Sequence, residues 1–258
     1  MILSEWIKLR SVRSWIIMIV AAAALLIAFG ALAAAVASGA VTPTGPGGEG
    51  GAGPFGSADP TAISLAGVNL AQLIVGILGV LYISNEYANG MIRSTLAAVP
   101  RRLPVLWAKV IVLAVALAVV MVIAAVVAFM VGQLILGDGK STTLGADGVL
   151  RAVVGSGLYL TGIAVFGLAI GAMMRSTAGA IAVVVASLLI IPGLAGVVLP
   201  DSWNDNITPY LPSNAGSAFT GVGASETLLS AGAGAAVFVA WLVALLIAAA
   251  VLLRRRDA

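Results

Sequence analysis

Few residues in this chain have the types or spacing to do chemistry. Gly137-Asp138-Gly139-Lys140-Ser141-Thr142 comes nearest, because it imitates the end of a phosphate-binding loop. The full pattern needs another glycine five residues before Gly139, where Leu134 stands, and a strand leading in, where an apolar helical run stands. It is therefore not read as a nucleotide site. The absence of Cys removes disulfides, thiolate metal sites and thiol nucleophiles, and the absence of His removes the commonest metal ligand and general base. The ten Asp and Glu fall mostly in loops. Catalytic, metal-binding and cofactor-binding residues are expected to be none. A membrane enzyme, which needs convergent nucleophiles, acids or metal ligands at depth, is disfavoured.

The polar residues inside apolar runs are Asn69, Gln72, Gln133, Ser156, Tyr159, Thr161 and Ser187. Asn69 and Gln72 are three apart and share a helix face. With Gln133 they are candidates for lining a translocation path, the alternative being hydrogen bonds between helices. Ion-coupled carriers bury ionisable side chains in their spans. Here none is expected near the centre of a span, and Lys109 and Arg151 are placed at helix ends, where long side chains can snorkel. Energy for any transport is expected to come from a partner.

These residues must be positioned by membrane helices. Of 258 residues, 61% are hydrophobic and 9% charged, and the mean hydropathy is +1.15. A soluble domain carries about 25% charged residues, so a soluble globular fold is excluded. Six apolar stretches reach the ~20 residues that a crossing requires, at about 15–36, 63–83, 108–134, 150–174, 178–199 and 229–253. They are apolar on every side rather than alternating, which predicts helices over barrel strands. The fold class is an all-α integral membrane protein, a single transmembrane domain over 1–258 with no nucleotide-binding domain. Gly167 and Gly171 form a GxxxG pair, read as helix packing rather than a dedicated dimer face.

Loop charges set the orientation. With both termini inside, eleven of the thirteen Lys and Arg are cytoplasmic, leaving Lys140 and Arg151 outside. Of the acids, Glu5, Glu86 and Asp257 fall inside. Lys8, Arg10 and Arg13 before the first span, with Ala35-Val36-Ala37 after it, imitate a signal peptide. The apolar run exceeds the length of a cleaved hydrophobic region, so an uncleaved span is expected.

Two loops stand apart. Between the fifth and sixth spans, Trp203, Tyr210, Pro212 and Asn214 lie in an aromatic and turn-rich stretch. It reads as an interfacial anchor, or as a lid over an exit pathway. Between the second and third spans, Met91, Ile92, Thr95 and Leu96 can form one apolar ridge beside Arg93, with Gly90 permitting a turn and Pro100 ending the helix. Such a ridge suits a groove on another protein, or a helix lying on anionic lipid.

Asn85-Glu86-Tyr87-Ala88-Asn89-Gly90-Met91-Ile92-Arg93-Ser94-Thr95-Leu96 resembles the E-Y-x-x-G-T-I-R-x-T-L-like stretch of ABC transporter permeases of the exporter-type second superfamily. Ser4-Glu5-Trp6-Ile7-Lys8-Leu9-Arg10 resembles their S-E-x-x-K-L-R opening, and Tyr210-Leu211-Pro212-Ser213-Asn214-Ala215-Gly216 a motif of many actinobacterial members. Met91 departs from the pattern, where the family more often has Thr. The resemblance implies a non-catalytic permease subunit of an ATP-driven exporter in the bacterial plasma membrane. It implies an amino-terminal elbow helix, a cytoplasmic coupling helix between spans two and three, and short re-entrant helices between spans five and six. Glu86, Gly90, Met91, Ile92, Arg93, Thr95 and Leu96 would couple to two separate ATPase subunits that carry ATP and Mg. A second permease copy would complete a homodimer or a paralogous heterodimer, and no nucleic acid is implied. The sparse polar lining suggests a hydrophobic or amphipathic cargo. The alternative is a non-transporting structural or sensory membrane protein.

Overall fold

The computed structural model describes residues 2–41, 59–88, 102–137, 139–174, 176–198, 200, 206–222 and 229–255. All regular structure among them is helical: α1 (Ile2–Ser11), α2 (Arg13–Ser38), α3 (Pro60–Ser64), α4 (Val68–Ala88), α5 (Arg102–Leu136), α6 (Val149–Met174), α7 (Thr177–Val185), a wide π turn (Ala186–Ile190), α8 (Ile191–Val198), a 3-10 turn (Thr208–Tyr210), α9 (Pro212–Thr220) and α10 (Ala231–Arg255). In hydrocarbon every backbone polar group must be satisfied within its own segment, and a helix does this. Six rods are long and apolar enough to cross a membrane: α2, α4, α5, α6, α7 continued into α8, and α10.

The second span differs from its expected start near Ile63. Asp59 caps α3 by accepting from the Thr61 N–H, Pro60 opens it, and the chain turns at Leu65–Gly67 before α4 begins at Val68. The turn is pressed on the first span, where a Cβ at Gly67 would stand 2.3 Å from the Leu26 carbonyl oxygen. The third span is longer than a crossing needs. Its 35 residues reach about 52 Å at 1.5 Å each.

α6 is the central post, buried over nearly its whole length and packed on α4, α5, α7, α9 and α10. Its GxxxG pair serves packing inside the chain. A Cβ on Gly167 would sit 2.1 Å from the Gly76 carbonyl oxygen, and one on Gly171 3.1 Å from that of Val80. α4 and α6 run parallel, as the second and fourth of six consecutive spans must. The π turn precedes Pro192, whose ring would clash with the Leu188 carbonyl in a regular helix. The fifth and sixth spans leave Leu189, Ile190, Leu194, Val239, Val243 and Ile247 exposed, an apolar surface suited to lipid.

Candidate functional site

The polar groups gather at opposite ends of α4. At its carboxyl end, Lys109 of α5 is 1% exposed. Its ammonium donates to Glu5 Oε2 of α1 at 2.8 Å and to Glu86 Oε1 of α4 at 2.6 Å. Lys8 of α1 also bonds Glu86 Oε1. The Tyr82 hydroxyl donates to Glu5 Oε2 at 3.1 Å, and the Tyr82 ring centroid lies 5.1 Å from Lys109 Nζ. Trp15 of α2 closes the group edge-on to Tyr82 at 5.4 Å.

Helical spacing builds this cluster. Glu5 and Lys8 are three apart on α1, Tyr82 and Glu86 four apart on α4, so each pair shares a face. Two ammonium groups meet two carboxylates, which leaves the cluster neutral. Four helices are tied at one point. The expectation that Lys109 snorkels is corrected: its stem points into the bundle, because two carboxylates there offset its desolvation better than the surface would. Glu86 belongs to this cluster. Gly90, Met91, Ile92, Arg93, Thr95 and Leu96 lie outside the described residues, in the segment joining α4 to α5.

At the amino end of α4 lies a cavity of about 430 Å³. Asn69 and Gln72 line it with Ser156 and Tyr159 of α6, Asn214 of α9, and Leu188 of the π turn. The Tyr159 hydroxyl donates to Gln72 Oε1 at 2.6 Å, and Tyr159 stacks among Phe238 at 5.2 Å and Phe219 at 6.3 Å. Arg151 is exposed, as expected of a helix end, and donates to the carbonyls of Phe219 and Gly221 at 3.2 Å each, fastening the end of α9. The Asn214 amide donates to the Thr208 carbonyl at 2.9 Å, and Trp241 Nε1 to that of Tyr210 at 2.9 Å. Pro212 opens α9, and Trp203 lies outside the described residues.

Asn69, Gln72 and Asn214 thus meet in one cavity, whereas Gln133 stands apart. Its Nε2 donates to the Pro60 carbonyl at 3.1 Å and Ser64 Oγ at 2.9 Å, and its Oε1 accepts the Thr142 N–H at 2.7 Å. It ties α3 to the turn after α5. The loop that imitates a phosphate site is tethered there too, with Lys140 donating to the Ala37 carbonyl at 3.1 Å. Gln133→Leu keeps the volume and removes three hydrogen bonds worth roughly 0.5–1 kcal/mol each. The expected loss is about 2 kcal/mol, read as a lowered thermal midpoint in lipid nanodiscs with faster protease cleavage of the 139–148 turn.

Residues 1–193 match the family model described as ABC-2 family transporter protein. The chain belongs to that family. No individual curated protein matches it. The chain is thus a membrane transport subunit, the permease component of an ABC transporter, whose family works with an ABC ATPase. This favours transport over a structural or sensory role. All five polar members of the permease's cluster lie in the matched part. The cavity divides at the boundary: α4, α6 and Pro192 fall within it, and α9 beyond it.

The cluster is what sequence reasoning missed in this permease. Lys109 looked like a lone cation near a helix end. The signal was available in the charge asymmetry, since two of the three acids on the basic side, Glu5 and Glu86, are the two that hold it.

Proposed function

We propose that this permease is the membrane half of an ATP-driven exporter in the bacterial plasma membrane, with both termini cytoplasmic. Two permease copies pair, and each docks an ATPase subunit through residues 86–96, with ATP and Mg bound on the ATPase. The observation that carries this reading is the Lys109 cluster, because it joins the last turn of α4 to α5 two turns into that helix, beyond the segment proposed to dock. A displacement of that segment when ATP closes the ATPase pair cannot move α4 alone. Lys109 joins Glu86 to α5 and, through Glu5, to α1, so the three elements shift together. The tight α4–α6 crossing then carries the shift toward the cavity about 21 Å away along α4, taken from Glu86 to Gln72 at 1.5 Å per residue. α1, rich in exposed Ile2, Leu3, Trp6 and Ile7, would lie as the elbow on the inner leaflet.

The test is co-purification with the cognate ABC ATPase subunit, co-expressed with the permease. Arg93→Glu is expected to lower recovery of the ATPase about tenfold, or ~1.4 kcal/mol, without altering membrane insertion. Replacing residues 91–96 by a Gly-Ser stretch of equal length, which spares Glu86, is expected to abolish it. Full ATPase recovery and stimulation with that replacement would reject residues 91–96 as the docking ridge.

A further inference from the structure

We propose that the cavity between α4, α6, the π turn and α9 binds an uncharged amphipath: a hydroxylated, glycoside-like head on a short apolar tail. As an assignment of cargo it rests on the exporter reading; as a binding site it stands on the lining alone. Among the described residues no Asp, Glu, Lys or Arg lines the cavity, so a charged ligand would lose its hydration with no countercharge from them in return. The lining is mixed: Leu65, Leu188, Leu189 and Pro192 are apolar, and α4, α6 and α9 add polar residues.

The polar side still has hydrogen-bonding capacity to give. Gln72 uses its Oε1 on Tyr159, and among the described residues both its amide N–H groups remain as donors. Asn214 uses an amide N–H on Thr208 and keeps its oxygen. Ser156 and Ser217 donate to the carbonyls of Ala152 and Ser213, leaving oxygen lone pairs as acceptors. Ser213 lines the cavity, is nine-tenths buried, and its hydroxyl has no partner among the described residues. Asn69 is exposed on the same lining. Donors and acceptors are thus interleaved, which matches hydroxyl groups, each of them both donor and acceptor. A purely accepting ketone or a purely donating ammonium would leave half of them unmet. About 430 Å³ lies within the range of small-molecule sites, roughly 300–1,000 Å³, and suits one sugar ring with a chain of about eight carbons.

The full-length permease in nanodiscs would be photolabelled with three diazirine probes of one octyl tail, differing in head: β-glucoside, trimethylammonium and sulfate. The glucoside is expected to label peptides containing 69–72, 156–159 and 213–220 saturably, at least tenfold over either charged probe. Asn69→Leu, whose side chain holds no hydrogen bond among the described residues, should reduce that labelling severalfold with an unchanged thermal midpoint. Ser217→Phe, which puts a ring into the cavity where the head would sit, should reduce it at least as strongly. Equal labelling by the charged probes, or unsaturable labelling on the exposed faces of α10 alone, overturns the proposal. Adding the ATPase with ATP separates the two readings: saturable labelling that ATP never displaces keeps the binding site and rejects the export role.

Discussion

Lys109→Met is expected to destabilise the permease by about 3–5 kcal/mol, the usual result of removing one partner from a buried ion pair. The ammonium is within 2.8 Å of both carboxylates, so its loss leaves Glu5 and Glu86 facing each other in a site nearly closed to water. Among the described residues Lys8 reaches only Glu86, and its side chain is 29% exposed, so it cannot neutralise the pair. Against a total stability of roughly 5–15 kcal/mol, the thermal midpoint should fall by about 6–20 °C for a chain this size. The fall can be followed by the fluorescence of Trp15, which touches the cluster through Tyr82. The design contains its own control. Adding Glu5→Gln and Glu86→Gln to Lys109→Met removes the stranded charges and should recover most of the lost stability, since neutral replacements of whole buried ion pairs are often tolerated. A single variant that melts with the wild type, or a triple variant no better than the single, would mean that Lys109 is not held by these carboxylates.

How much of this was legible in the sequence depends on the range of the interaction. The spans were legible because each is a local run of apolar residues, and the Gly167–Gly171 pair because its spacing is local too. The cluster was not, because Glu5, Glu86 and Lys109 are brought together by contacts 104 and 23 residues apart. Each looks unremarkable alone: Glu5 in a terminal helix, Glu86 at a span's end, Lys109 a turn or two into an apolar helix. The same holds for the cavity. Asn69 and Gln72 share a face by spacing, but that Asn214 joins them while Gln133 does not follows from where α9 folds back under Arg151. The break before Val68 was hidden because Ile63 to Val68 is apolar enough to pass for the start of a span. The turn there goes with long-range contacts, Gly67 against the Leu26 backbone and Ser64 against Gly30.

Gly79→Leu is expected to prevent assembly of the helical bundle, with little monodisperse protein recovered. A Cβ at Gly79 would lie 1.9 Å from the Ala164 carbonyl oxygen, 2.8 Å from its carbon and 2.9 Å from the Leu168 nitrogen. All three are backbone atoms of the central post, so no rotamer change relieves the overlap and α4 must move off α6 by more than an ångström. Gly167 faces the same constraint from Gly76 one turn away, so the two helices cannot pivot to accommodate the side chain. Overpacking that flexible side chains absorb costs about 1–3 kcal/mol. Here the packing of α6 against α4, on which the cavity and the parallel arrangement depend, is lost as well. Gly79→Ala should show a milder form, with reduced yield and a lower midpoint. Gly193→Ala is the matched control, because an added Cβ there meets nothing within 4 Å and alanine should gain about 0.5–1 kcal/mol through helix propensity. Normal yield and midpoint for Gly79→Ala would mean that the crossing is looser than the backbone contact implies. The crossing would then be too soft to link the ends of α4, since Gly76 and Gly79 lie between the cluster at Tyr82 and Glu86 and the cavity at Asn69 and Gln72. A push at the proposed docking segment would reach the cavity only if the helix between them is held against a neighbour that does not yield.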